Sequence, residues 1–256
     1  MGVEYKHYLI PRPNNFSPEP DQVVSLLHKM QTNHWVIDPR SESLAQMEYN
    51  VMTYTPFARE SGAFAQLVRH QWCSFPYPFT ANWLGRHLEK DLILCWPVQD
   101  LAASGLCYPL SDNAWDPCQT YYDVELHFSP DYVYHVSGNI DPFDKAPVCD
   151  HCGERLEFDS PPDKFGSTCG VFYSSRLHIR CPQCGTPFDV ASLPAVVRDG
   201  RTGDEDVIMG GACYRFAIVV DCGKCIPANQ VKIAPALKAL CQTTLGCSFY
   251  ELGDYY

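Results

Sequence analysis

The sequence is poor in positive charge. It has 19 Lys and Arg residues against 30 Asp and Glu, which gives a formal net charge of −11. An acidic surface repels phosphate backbones, so we do not expect nucleic-acid binding, and a basic protein is the more natural partner. Long apolar runs are missing as well. Because a transmembrane helix needs ~20 apolar residues, no membrane association is expected.

Local catalytic signatures are also missing. The sequence contains no H-E-x-x-H, no G-x-S-x-G, no P-loop and no G-x-G-x-x-G. An active site without a local signature stays compatible with the sequence, because many sites are assembled only in the fold. The first residues, MGVEYKHYLI, carry Glu4 and Lys6 and lack the apolar stretch of a signal peptide. We therefore expect a cytoplasmic protein.

Cysteine, by contrast, is abundant. The chain has 14 cysteines, and ten of them lie at or after position 149, where six form three Cys-x-x-Cys pairs. In a reducing compartment, clustered cysteines indicate metal or redox chemistry instead of disulfides. The four earlier ones are scattered, and we expect them to be small buried hydrophobic residues: Cys73, Cys95, Cys107 and Cys118.

The first two pairs have the spacing of a metal site. They are Cys149-Asp150-His151-Cys152-Gly153 and Cys181-Pro182-Gln183-Cys184-Gly185. Two cysteines separated by two residues can direct both sulfurs at one ion from a tight turn. The glycine that follows can adopt a positive φ and helps the backbone donate N–H groups towards the thiolates. We predict that these four cysteines bind one tetrahedral zinc ion, with no coordination position left for catalysis.

This segment resembles the rubredoxin-type knuckles of zinc ribbons, and the match is close in Cys-Pro-x-Cys-Gly at 181–185. The resemblance covers residues 149–184 only and implies the ribbon fold, a zinc ion and Cys149, Cys152, Cys181 and Cys184 as its ligands. His151 and Cys169 are spare candidates that we expect not to ligate. Residues 149–184 lack the basic, aromatic-rich face of a ribbon that reads nucleic acid.

The third pair, Cys222-Gly223-Lys224-Cys225, leaves three interpretations open. Cys222 and Cys225 are reduced thiols at a turn, part of a second metal site, or a redox dithiol whose pKa a helix N-terminus lowers. A second zinc site would recruit a further cysteine from Cys213, Cys241 or Cys247. No second close pair completes the zinc pattern, and no thioredoxin-like strand–helix–strand unit surrounds the motif.

Several segments have strand character. We predict residues 4–10, 35–37, 91–96 and 214–220 each to be a strand, and 91–96 is a compact apolar run. Residues 121–137 alternate between apolar and polar side chains and contain Ser129-Pro130-Asp131, which predicts an antiparallel hairpin. Its polar residues, Asp123, Glu125, His127 and His135, are expected on the exposed face. Residues 199–211 are polar and are expected to form an exposed loop.

Several segments have helical character. Val23, Leu26, Leu27 and Met30 recur at helical spacing, and Ser17 and Pro18 are expected to begin that helix. Residues 61–70 and 80–89 also have helical character, the second capped by Thr80. Residues 229–245 fit a C-terminal helix, started or kinked by Pro235, with Gly246 at its C-terminal cap.

These elements predict an α+β protein with a mixed or antiparallel sheet, flanking helices and an inserted zinc ribbon. Residues 1–145 form the first part of the α+β domain, 146–192 the ribbon insertion, and 193–256 the strand and helix that complete the domain. The leading functional hypothesis is a zinc-stabilised, protein-binding module in the cytoplasm, for example an immunity-type or antitoxin-type inhibitor of a basic partner. The alternative is an enzyme of unknown reaction, with its active site in the N-terminal α+β part and zinc in a structural role.

Overall fold

A large antiparallel sheet forms the centre of the protein. The computed structural model describes residues 5–36, 57–60, 80–88, 92–98, 105–111, 122–134, 148–155, 175–176, 180–190, 193–198, 205–211, 213–221 and 231–255. The strands of the large sheet are β1 (Tyr5–Arg12), β2 (Phe57–Glu60), β3 (Leu92–Val98), β4 (Tyr122–Tyr134), β5 (Ser175–Arg176), β8 (Cys213–Asp221) and β9 (Ser248–Tyr255). Their order is β2-β3-β4-β8-β1-β9, and β5 pairs with β4. A separate two-stranded sheet consists of β6 (Pro194–Arg198) and β7 (Glu205–Met209).

Helices cover one face of the large sheet. They are α1 (Pro20–Thr32), α2 (Ala81–His87) and α3 (Pro235–Leu245). Alternate strand residues such as Leu9, Leu126 and Ile218 point to this face and are fully buried, in one cluster with the apolar side chains of the three helices. Because successive side chains of a strand point to opposite faces, the residues between them belong to the other face. The α+β class predicted from the sequence is confirmed.

The opposite face of the sheet has its own apolar cluster. It joins Tyr8, Ile10, Ala217, Val219 and Leu252 of the large sheet to residues from the chain that follows the second Cys-x-x-Cys pair. Those residues are Phe188, Val190, Leu193, Ala195 and Ile208. The β6–β7 sheet therefore covers part of this face. Because β7 includes 205–209, the exposed loop predicted over 199–211 is wrong there; residues 199–204 lie outside the described residues.

The first helix begins two residues later than predicted. Glu19 is the N-cap and Pro20 the first helical residue, because the Gln22 side chain accepts the Glu19 backbone N–H at 2.9 Å. The predicted apolar face is confirmed, since Val23, Leu26, Leu27 and Met30 are all buried.

The predicted strand at 35–37 is wrong at Trp35 and Val36, which lie in a buried bend. Trp35 N–H donates to the Met30 carbonyl at 2.8 Å, and His34 has a φ of 59°. The chain thus turns back on the end of α1 before an extended segment can start. Ile37 and the helix predicted at 61–70 lie outside the described residues.

The other helix boundaries follow their sequence signals. Thr80 caps α2, and its side chain accepts the Trp83 N–H at 3.2 Å. Pro235 is the first residue of α3, which excludes the alternative of a kink. Gly246 follows with a φ of 69°, the left-handed conformation that closes a helix C-terminus. None of the helices among the described residues is long and apolar enough to span a membrane.

The hairpin predicted over 121–137 is a single strand. Residues 123–128 and 133–134 of β4 both pair with β8, and the register shifts between Phe128 and Val133. The Ser129-Pro130-Asp131 segment is thus a bulge and not a turn. Residues with turn composition can form a bulge when a long neighbouring strand offers hydrogen bonds on both sides. His135 lies outside the described residues.

Candidate metal centre

The first Cys-x-x-Cys pair forms a tight turn. Val148 and Arg155 pair across its base, and Cys149 N–H donates to the Glu154 carbonyl at 2.6 Å. Gly153 N–H donates to the Cys149 carbonyl at 2.8 Å, with Gly153 at a φ of 75°. A side chain is rarely accommodated at that φ, which explains why glycine follows the second cysteine.

The second pair has the same construction. Arg180 and Pro187 pair across its base, and Cys181 N–H donates to the Thr186 carbonyl at 2.9 Å. Gly185 N–H donates to the Cys181 carbonyl at 2.8 Å, with Gly185 at a φ of 71°. The two turns, which are 29 or more residues apart in sequence, therefore present their cysteines in equivalent positions.

The two turns face each other and bring four sulfurs together. Cys149 Sγ lies 3.6 Å from Cys184 Sγ, and Cys152 Sγ lies 3.5 Å from Cys181 Sγ. All four sulfurs lie within 4.8 Å of one another. A tetrahedral ion with metal–sulfur bonds of ~2.3 Å requires sulfur–sulfur separations of about 3.8 Å. The four predicted cysteines are thus compatible with a metal site.

The surroundings of the four-cysteine cluster shift the pKa values of two of its thiols in opposite directions. The Thr186 hydroxyl, 3.1 Å from Cys184 Sγ, and the Thr186 backbone lower the pKa of Cys184 to about 6. At Cys152 the backbone hydrogen bond at Glu154 also lowers the pKa, but desolvation and the neighbouring thiols outweigh it and raise the pKa to about 12. Adjacent thiolates repel one another, so the cluster can lose all its protons only when a cation balances the charge.

The other cysteine predictions have different outcomes. Cys95 is buried as expected, whereas the expectation of a buried Cys107 is wrong, because it is exposed, and Cys73 and Cys118 lie outside the described residues. His151 is exposed and is not part of the four-sulfur cluster. Cys169, Cys222 and Cys225 lie outside the described residues, so the three interpretations of the third pair stay as they were. Cys241, one of the cysteines considered for a second zinc site, is buried in the helix-side core instead.

No protein-family model matches the chain, and neither a curated protein nor a solved structure matches it. Its function therefore has to be argued from its own residues.

Sequence reasoning missed a polar cluster on the face of the sheet opposite to α1, α2 and α3. Glu125 is 5% exposed and Asp123 and Asp221 are each 9% exposed, so the expectation that the polar residues of β4 face solvent is wrong. Lys6 Nζ lies 3.1 Å from Asp221 Oδ2 and 3.7 Å from Glu125 Oε2. His127 Nε2 lies 2.6 Å from the same Glu125 oxygen. We refer to Lys6, Asp123, Glu125, His127 and Asp221 as the polar cluster.

The alternation of apolar and polar residues in β4 indicates part of this cluster. Asp123, Glu125 and His127 are two residues apart, so they project from one face of the strand. The sequence could indicate that they share a face, but whether that face is solvated depends on the strands next to it. Those strands, β8 and β3, place Asp221 opposite Asp123 and Cys95 opposite Glu125.

Proposed function

We propose that Cys149, Cys152, Cys181 and Cys184 bind one zinc ion as a structural centre. The observation that carries this proposal is the convergence of four sulfurs within 4.8 Å from two equivalent turns. Four thiolates suit the tetrahedral geometry and borderline softness of zinc. Since all four positions are taken by protein, the ion serves to hold the two turns together, as in a zinc ribbon.

The position of the centre supports a structural role. The segment directly after the second turn contributes Phe188, Val190 and Leu193 to the apolar cluster on the face of the sheet opposite to α1, α2 and α3. An ion that fixes Cys181 and Cys184 restricts where this segment starts. The binding energy of the metal is then available to stabilise the packing of a part of the chain that has little regular structure.

The test is the metal content of protein purified without added metal. We expect zinc in the wild type and loss of one ion, with reduced thermal stability, in a Cys181→Ser/Cys184→Ser variant. Cys107→Ser is the matched control, because Cys107 is an exposed cysteine outside the cluster. Zinc content that does not change in the double variant, or a centre filled with iron, would contradict the proposal.

We further propose that the protein acts in the cytoplasm by binding another protein, in the manner of an immunity-type or antitoxin-type inhibitor. Val207 and Met209 of β7 are 57% and 54% exposed, and Asp206, directly before Val207, is also exposed. Apolar side chains next to a carboxylate, on a chain with a net charge of −11, suit a partner that offers apolar and basic residues.

This binding function is tested by affinity capture from extracts of the source cells with wild type and with Val207→Lys/Met209→Lys. We expect a basic protein to bind the wild type, with an affinity that falls as salt is added. The variant should not bind this protein. The variant changes only exposed side chains, so its unfolding midpoint should match the wild type. Capture of the same proteins by the wild type and by the variant would contradict this function.

A further inference from the structure

We propose that Cys95, Asp123 and Glu125 form a second metal site, which binds a divalent cation of zinc-like softness on the face of the sheet opposite to α1, α2 and α3. It is separate from the four-cysteine centre and uses none of its residues. One sulfur and two carboxylate groups converge there, and the ligand atoms of all three residues lie within 4.8 Å of one another.

The sheet register places the three ligands. Cys95 on β3 is directly opposite Glu125 on β4, and Asp123 lies two residues before Glu125 on the same strand. Opposed residues of antiparallel strands, and residues two apart on one strand, share a face. The convergence is therefore fixed by backbone pairing and does not depend on flexible loops.

Burial separates this group from ordinary surface acids. Cys95 is 1% exposed, Glu125 5% and Asp123 9%. A carboxylate removed from water is costly unless a cation or hydrogen bonds compensate it, so buried carboxylates are paired or coordinate metals. Glu125 already has the Lys6 ammonium and the His127 ring beside it, so a metal ion would add to these contacts.

The donor set indicates which cation would bind. Carboxylate oxygens alone suit magnesium or calcium, whereas a thiolate selects softer ions such as zinc. Binding would release the Cys95 proton, because the thiolate and not the thiol is the ligand. Three protein ligands leave the fourth tetrahedral position for water or a substrate, the arrangement of catalytic zinc sites.

The rest of the polar cluster positions the carboxylates. His127 Nε2 lies 2.6 Å from Glu125 Oε2 and holds one oxygen of that ligand. The His127 ring has two aromatic neighbours, with centroid distances of 6.4 Å to Tyr8 and 6.5 Å to Tyr214. Such outer contacts orient metal-bound carboxylates in many sites. Lys6 is held by Asp221 at 3.1 Å, so it can stay in place when a metal ion takes Glu125.

The test counts metal ions bound per full-length chain. Protein stripped of metal and then dialysed against Zn²⁺, and in parallel against Co²⁺, is analysed for the metal. We expect two ions in the wild type and one in Cys95→Ser and in Asp123→Asn. Cys241→Ser is the matched control, because Cys241 is as buried as Cys95 but lies in the helix-side core. That control should keep two ions.

Asp123→Asn is nearly isosteric and gives the answer if Cys95→Ser fails to fold. If the wild type binds one ion and Cys181→Ser/Cys184→Ser binds none, the second site is overturned. The polar cluster is then a buried ion-pair network. Two ions in both Cys95→Ser and Asp123→Asn would also overturn it. Retention of all metal in Cys181→Ser/Cys184→Ser would instead count against the four-cysteine centre, so the two proposals fail in distinguishable ways.

Discussion

Lys6 and Asp221 are direct neighbours across β1 and β8, and their charged groups lie 3.1 Å apart in the interior of the polar cluster. Asp221 is in turn directly opposite Asp123 on β4. Like charges in opposed positions destabilise a sheet. The Lys6 ammonium, next to both Asp221 and Glu125, offsets part of that repulsion.

Lys6→Met should therefore destabilise the protein by about 3–5 kcal/mol, the usual effect of removing one partner of a buried ion pair. The free energy of unfolding in urea at neutral pH measures it. Lys238→Met is the control, because Lys238 pairs with Glu251 at 2.6 Å but its side chain is more exposed, at 29% against 12% for Lys6. An equal decrease in the free energy of unfolding in the two variants would contradict a special role for Lys6.

Removal of the proposed zinc ion should loosen the two cysteine turns before it affects the sheet. In the presence of a chelator we expect faster trypsin cleavage after Arg155 and Arg180, which lie at the bases of the turns. Cleavage after Arg86 in α2 serves as the internal reference and should change little. The rates can be read by mass spectrometry of early fragments. Uniform acceleration at all three sites would indicate that the metal stabilises the whole fold.

Two glycines should respond to alanine in opposite ways. Gly246 has a φ of 69° at the end of α3, so Gly246→Ala should cost about 1 kcal/mol of stability. Gly85 lies within α2, where an added Cβ would meet Pro20 at an ordinary contact distance of 3.6 Å. Gly85→Ala should raise the stability by about 0.5–1 kcal/mol. Thermal unfolding of both variants checks the sign of each change.

The buried side chain of Asn14 should be important for the attachment of the β6–β7 sheet. Its amide group donates to the carbonyls of Gly210 and Cys213, the latter at 2.7 Å, and so connects the end of β1 to the turn before β8. Asn14→Ala leaves these carbonyls without that donor and should cost about 1–3 kcal/mol. Asn33→Ala, which removes an exposed hydrogen bond to Lys29, should cost less. Urea unfolding of the two variants gives the comparison.

His127 is expected to tune the second metal site without ligating the ion. His127→Gln should weaken binding at that site by roughly 10- to 100-fold, the usual effect of losing an outer contact. Competition with a chromogenic chelator measures both affinities in one experiment, and the four-cysteine centre is the internal reference. His87→Gln, which removes a ring stacked on Trp83, should change neither affinity. An unaltered affinity in His127→Gln would mean that Glu125 is oriented without the imidazole.

Local patterns in the sequence determined the metal-site candidates and most helix boundaries. The Cys-x-x-Cys-Gly repeats identified four residues that converge in the structure, because a two-residue spacing and a positive-φ glycine specify the turn almost alone. Thr80, Pro235 and Gly246 marked helix ends because capping depends on the residues of one turn. The apolar face of α1 followed from its 3.6-residue period in the same way.

Only the tertiary structure decided whether the polar face of β4 is buried and which residues of the neighbouring strands it contacts. The same Ser-Pro-Asp segment fits a hairpin turn or a bulge, and pairing with the whole length of β8 selected the bulge. Cys95 and Glu125 are 30 positions apart, and no local pattern connects them; strand register brings them together. Sequence specifies what one turn or one strand prefers, whereas the neighbours across a sheet depend on the packing of the whole chain.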